Sequence, residues 1–166
     1  MGHLIQTKIA GRFVKITFPD TVDLVLRQGL PHRPPARFNR SGQDALYLSC
    51  DETSAKAALR KYIRKDDPPR VLVTYAVERC WVVDLRHPET ADLYEQARQP
   101  WKAVLDAGET PASWEAADRI RAEDHSGLID PSRQSPGLWH LTLFRWNASG
   151  GPSVRQIHVS EPMLIR

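Results

Sequence analysis

Apolar and polar positions alternate through LIQTKIAGRFVKITFP (residues 4–19) around a glycine, which predicts two short strands joined by a turn. The apolar run VDLVLRQG (22–29) predicts a further strand ending at Gly29, and the proline- and arginine-rich LPHRPPARFNRSGQ (30–43) a loop. ALYLS (45–49) reads as a short buried strand. The period then changes. From Asp51, DETSAKAALRKYIRK sets Ala55, Ala58, Leu59, Tyr62 and Ile63 on one face at helical spacing, with Lys56, Arg60, Lys61, Arg64 and Lys65 on the other. Asp51 is a suitable N-cap, the basic last turn suits the helix dipole, and DDPP stops the helix.

RVLVTYAV (70–77) and CWVVDL (80–85) predict two neighbouring strands. HPETADLYEQARQPWKAVLDAG (87–108) and TPASWEAADRIRAED (110–124) predict two helices, with Pro88 and Pro111 where a first turn tolerates proline. LWHLTLFRW (138–146) and SVRQIHV (153–159) predict closing strands around NASGGP. Strands, a helix, strands, helices and strands in that order indicate an α+β fold rather than a βαβ repeat.

Composition narrows the picture. The chain has 166 residues, 41% hydrophobic and 26% charged, which suits one globular domain over residues 1–166. It shows neither an apolar run of spanning length nor a secretory leader, so a cytoplasmic protein without membrane contact is expected. Cys50 and Cys80 are too few for a disulfide framework. A net charge of +3, dispersed along the chain, does not by itself call for nucleic acid; a basic pocket for a phosphorylated ligand fits equally well.

The common chemical signatures are missing. No GxGxxG, GxxxxGK[ST] or GxSxG occurs, and the six histidines (3, 32, 87, 125, 140 and 158) form no HxH or HxxxH pair, so no metal is expected. What remains is a constellation of ARFNRSG…ALYLS, the helix after it, and DHSGLIDPSRQSPGLWHLTLFRW (124–146). In the last, Asp130-Pro131-Ser132-Arg133 is a polar turn just before a core strand.

RFN…G…ALYLS, a following helix, and GLIDPSR…GLWHLTLF resemble the RES-domain toxins of bacterial toxin–antitoxin operons, over about residues 24–160 and with the small ParT-like members nearest in size. The resemblance implies a compact ADP-ribosyltransferase-like α+β fold, with small twisted, mainly antiparallel sheets forming an NAD cleft and helices around them. It implies that NAD is consumed as substrate. The family's arginine matches Arg37, its serine Ser132, and a tyrosine ten residues after the arginine Tyr47. Its glutamate is replaced by Ala58; Glu52 or Asp51, a turn or more earlier, could partly compensate. Asn39, Arg33, Arg40 and Arg133 are candidate auxiliaries on the ligand.

Chemistry gives these roles a reason. Breaking the bond from C1′ of the ribose to a cationic nicotinamide needs no acid for the leaving group; the site must grip the diphosphate, fix the ring and steady an oxocarbenium-like ribose. An arginine fork matches oxyanions, a tyrosine ring offers a stacking surface, and a serine donates without adding charge. Loss of Arg37 is expected to cost about 2–5 kcal/mol of binding and orientation. The leading expectation is a toxin, restrained by a cognate antitoxin, that mono-ADP-ribosylates a cytoplasmic protein, for instance an enzyme of nucleotide metabolism. An NAD glycohydrolase or phosphorylase is the second reading, and an inert partner-binding module the third.

Overall fold

The computed structural model describes residues 4–165; His3, and the ends of the expected domain, lie outside the described residues. Six strands, β1 (Gln6–Thr17), β2 (Leu46–Ser49), β3 (Val71–Asp84), β4 (Gly127–Pro131), β5 (Trp139–Leu143) and β6 (Val154–Val159), combine with α1 (Glu52–Leu59), α2 (Ala91–Ala97), α3 (Lys102–Asp106) and α4 (Ala112–Ala122). The architecture is α+β, as expected. Among the described residues no helix is long and apolar enough to cross a membrane.

The strands run β1–β2–β5–β4–β3, and β1 pairs again with β3, so five strands close into a ring; β6 adds to β3. All pairings are antiparallel except β3–β4. Leu46, Leu48, Val73, Tyr75, Ile129 and Leu141 fill the interior, all buried. α2 and α4 cover the outer face through Leu93, Ala97, Ala116, Ala117 and Ile120, packed on Val83 and Leu128. α1 lies on β1, with Ala55 against Val14 and Ile16. Asp51 Oδ1 caps α1 by accepting from Ser54 N at 2.8 Å, as its sequence predicts.

Four expectations are corrected. Residues 4–19 hold one twelve-residue strand rather than two, because Gly11 (φ 117°) takes up a bulge opposite β3 instead of a reversal. Its partner is likewise a single fourteen-residue strand through the two runs at 70–77 and 80–85. Residues 22–29 are not a strand: a 3₁₀ turn over Pro19–Leu24 leads into irregular chain, and Val22, Val25 and Leu26, at helical spacing, turn together onto the core. The helix expected over 87–108 divides into a short 3₁₀ turn, α2 and α3, with Pro100 between the last two.

Candidate functional site

Strand register builds the floor of a cavity. Ser49 pairs with His140, and His140 with Asp130, so these side chains stand in one row on the outer face of β2, β5 and β4. The next row, Tyr47, Thr142 and Leu128, runs toward the helices. Beyond the helical cover the first row floors a cavity of about 370 Å³. Ala55, Ala58 and Tyr62 line one side, Arg37 and Phe38 the other, and Ser132, Arg133 and Trp101 also line it.

The loop carrying Arg37 is clamped by three side chains. Tyr47 Oη donates to Asn39 Oδ1 at 2.6 Å and accepts from Phe38 N at 3.0 Å. From α4, Ser113 Oγ donates to the Arg37 carbonyl at 2.5 Å, and Trp114 Nε1 to that of Ala36 at 2.7 Å. The Tyr47 ring stacks on Phe38 at 6.5 Å between centroids. Burial raises the Tyr47 pKa above its usual value, so the phenol stays neutral and keeps donating. Tyr47 falls ten positions after Arg37 because that distance lets the strand reach back and fasten the loop.

Arg37 Nη1 donates to the carbonyls of Ala97 (3.2 Å) and Gln99 (2.8 Å), at the end of α2. Arg133 Nη2 shares the Ala97 carbonyl at 3.0 Å, while its Nη1 donates to Asp130 Oδ2 at 3.0 Å. Burial, then the like charge of Arg133, lowers the Arg37 pKa to about 10; it remains a cation at neutral pH. Asp130 is buried (3% exposed), which raises its pKa against the pull of Arg133 and His140. His140 is lowered chiefly by burial, which favours the neutral ring, and its Nδ1 shares a 3.1 Å hydrogen bond with Ser49 Oγ. Ser132 Oγ accepts from the amides of Gln134 (3.3 Å) and Ser135 (3.2 Å), which leaves its proton available to a ligand.

Arg37, Tyr47, Ser132 and Arg133 therefore meet around one cavity, and Ala58 lines it where the resemblance calls for a glutamate. Other candidates stand elsewhere. Glu52 faces solvent at the start of α1, paired with Lys56 at 3.5 Å. Asp51 is occupied as the helix cap. Arg40 makes a two-pronged pair with Asp118 at 2.6 and 2.9 Å. Asn39 and Arg33 line a second cavity of about 570 Å³; the Asn39 amide donates to the carbonyls of Pro34 and Arg40, and Arg33 to those of Arg27 and Ala45.

Sequence reasoning missed Lys15, Ser49 and His140. Lys15 follows Phe13 on the inward-turned face of β1 and lines both cavities. Its ammonium donates to the Tyr47 carbonyl at 3.3 Å, and burial, with Arg33 nearby, lowers its pKa to about 8. The available signal was a lysine inside the short apolar run Phe13–Ile16, between Val14 and Ile16.

The chain matches the family model described as RES domain over residues 20–164. No curated protein sequence matches it. Among solved structures it is similar to a chain of the M. tuberculosis MbcT–MbcA toxin–antitoxin complex, with a TM-score of 0.62 and 13% identity over 95% of this chain and 86% of that one. At that identity the likeness is one of fold. The match spans nearly all the chain, including the loop of Arg37, the strand of Tyr47, α1 and the turn of Ser132: this protein belongs to the RES domain family.

Proposed function

We propose that the protein is the toxin of a toxin–antitoxin pair that consumes NAD and transfers its ADP-ribose to a cytoplasmic protein, an enzyme of nucleotide metabolism being one candidate. The observation that carries this reading is the meeting of Arg37, Ser132 and the Tyr47-clamped loop around one mainly cationic cavity, in a chain of the RES domain family. Among the described residues Lys15, Arg37, Lys61 and Arg133 line that cavity against one carboxylate, Asp130, which suits a ligand with two phosphates.

In this reading Arg37 grips an oxyanion of the substrate through the part of its fork not turned to the α2 carbonyls. Ser132 donates to the carboxamide or the ribose. As the C1′–N bond breaks, its electron pair leaves with nicotinamide, which becomes neutral and needs no proton. The acceptor's lone pair forms the new bond to C1′, and its proton passes to neutral His140, steadied by Ser49 and Asp130. Ala58 supplies no charge to the ribose cation, so the electrostatic work falls on Asp130.

Transfer to water or phosphate is the second reading, favoured by one observation: the same neutral His140 could take a proton from a small acceptor. Purified protein, with and without lysate, separates the two when given NAD labelled in the adenylate. A labelled lysate protein that disappears with Arg37→Ala supports transfer to protein. Nicotinamide released equally without lysate moves the assignment to NAD degradation. Absence of both, with intact binding to a neighbouring antitoxin, overturns the enzyme reading.

A further inference from the structure

The two cavities are neighbours, and Lys15, Ala36 and Tyr47 line both. The first, at about 370 Å³, lies near the lower end of the ~300–1,000 Å³ that ligand pockets occupy, room for one half of a dinucleotide rather than the whole. Lys15, on the shared wall, carries its charge into a largely covered position. Its ammonium has the Tyr47 carbonyl at 3.3 Å, the charge that acts on it is another cation, Arg33, and no carboxylate pairs with it among the described residues. A cation held this way is stabilised by an arriving anion.

The linings sort the two halves of such a ligand. Among the described residues no acidic side chain lines the second cavity; Lys15 and Arg33, the latter 3.8 Å from Asp44, stand there with His32 among Val25, Leu30 and Pro34. A cationic nicotinamide ring would meet like charge, whereas a neutral adenine finds an apolar slot beside cations. The first cavity offers the cationic ring the Asp130 carboxylate and the aromatic faces of Tyr62 and Trp101.

We propose that the dinucleotide lies across both cavities, with Lys15 holding the diphosphate at the shared wall and the adenosine half in the cavity lined by Val25, Leu30 and Pro34. This inference rests on the NAD reading above and adds to it a binding residue and a second subsite.

Calorimetric titration of the purified protein with NAD and with nicotinamide mononucleotide tests it. Lys15→Met weakens NAD binding about ten- to a hundred-fold, as loss of one charge-assisted contact predicts, and Lys15→Arg restores most of it. Leu30→Trp, which fills the second cavity, weakens NAD but leaves the mononucleotide within about threefold, the scatter of context-dependent contacts. If Lys15→Met leaves NAD affinity unchanged while Arg37→Ala abolishes it, the NAD reading stands and this arrangement is wrong. If Leu30→Trp weakens both ligands equally, or leaves NAD untouched, the adenosine subsite is wrong. A wild-type protein that binds no NAD overturns both readings together.

Discussion

Replacing Tyr47 by phenylalanine removes one oxygen and keeps the ring. The ring still packs on Phe38. What is lost is the pair of hydrogen bonds through which the phenol holds Asn39 Oδ1 at 2.6 Å and Phe38 N at 3.0 Å. Phe38 is 2% and Asn39 1% exposed, so water cannot readily replace the phenol. A buried polar group left without a partner costs about 1–3 kcal/mol, so two cost about 2–4 kcal/mol once some loop relaxation is allowed. Urea unfolding measures this directly. With a slope of about 2 kcal/mol per molar, the midpoint falls by about 1–2 M at unchanged slope. The ligand effect follows from geometry: the loosened turn is the one that presents Arg37, so NAD affinity falls about tenfold while the Arg37 guanidinium is intact. A midpoint within about 0.3 M of wild type, a difference of roughly half a kcal/mol, refutes the clamp.

Ala58→Glu puts a carboxylate into the cavity wall where the family resemblance expects one, and nicotinamide release into water rises about tenfold or more, scored by chromatography of the released base. Lys15→Met changes the pH dependence of stability. Burial lowers the folded pKa of Lys15 from 10.5 to about 8, so in this window the unfolded chain binds more protons; the destabilisation is fully present below pH 8 and is relieved as pH rises toward 10.5. Wild type therefore gains about 2–3 kcal/mol relative to Lys15→Met between pH 7 and 10, read from paired urea curves, and parallel curves contradict the burial. Gly127→Ala drives a methyl group into the Thr142 carbonyl oxygen and the Leu143 Cα across the β4–β5 ladder, and lowers stability by about 3 kcal/mol or more in thermal melts.

Parts of this molecule were legible because they are local. The α1 cap is written in Asp51 and the three residues after it, and the face carrying Ala55, Ala58 and Leu59 follows from a period of 3.6. The loop and turn that bring Arg37 and Ser132 to the cavity announce themselves by proline, glycine and arginine among apolar runs. The row Ser49–His140–Asp130 could not be read in the same way. It exists only through the register of β5 against both β4 and β2, the latter about ninety residues earlier in the chain, and nothing local in β2 fixes which residue stands opposite which. Gly11 misled for a related reason: in isolation a glycine between alternating segments signals a reversal, but pairing with β3 on both sides of it keeps the strand running. Residues 22–29 misled because a short apolar run fits either period until its partners are known.

The way Arg37 is moored has a kinetic meaning. Neutral amide oxygens hold its guanidinium, and no acid pairs with it among the described residues. An incoming phosphate or carboxylate need not first prise apart a salt link; it displaces or joins two dipoles, and the charge it meets is already partly dehydrated and held in place. Capture by such a residue is fast and indifferent to which acidic molecule arrives. Discrimination among anions therefore has to come from the shape of the surrounding walls, and any acidic peptide that fits the mouth competes on equal electrostatic terms with the nucleotide.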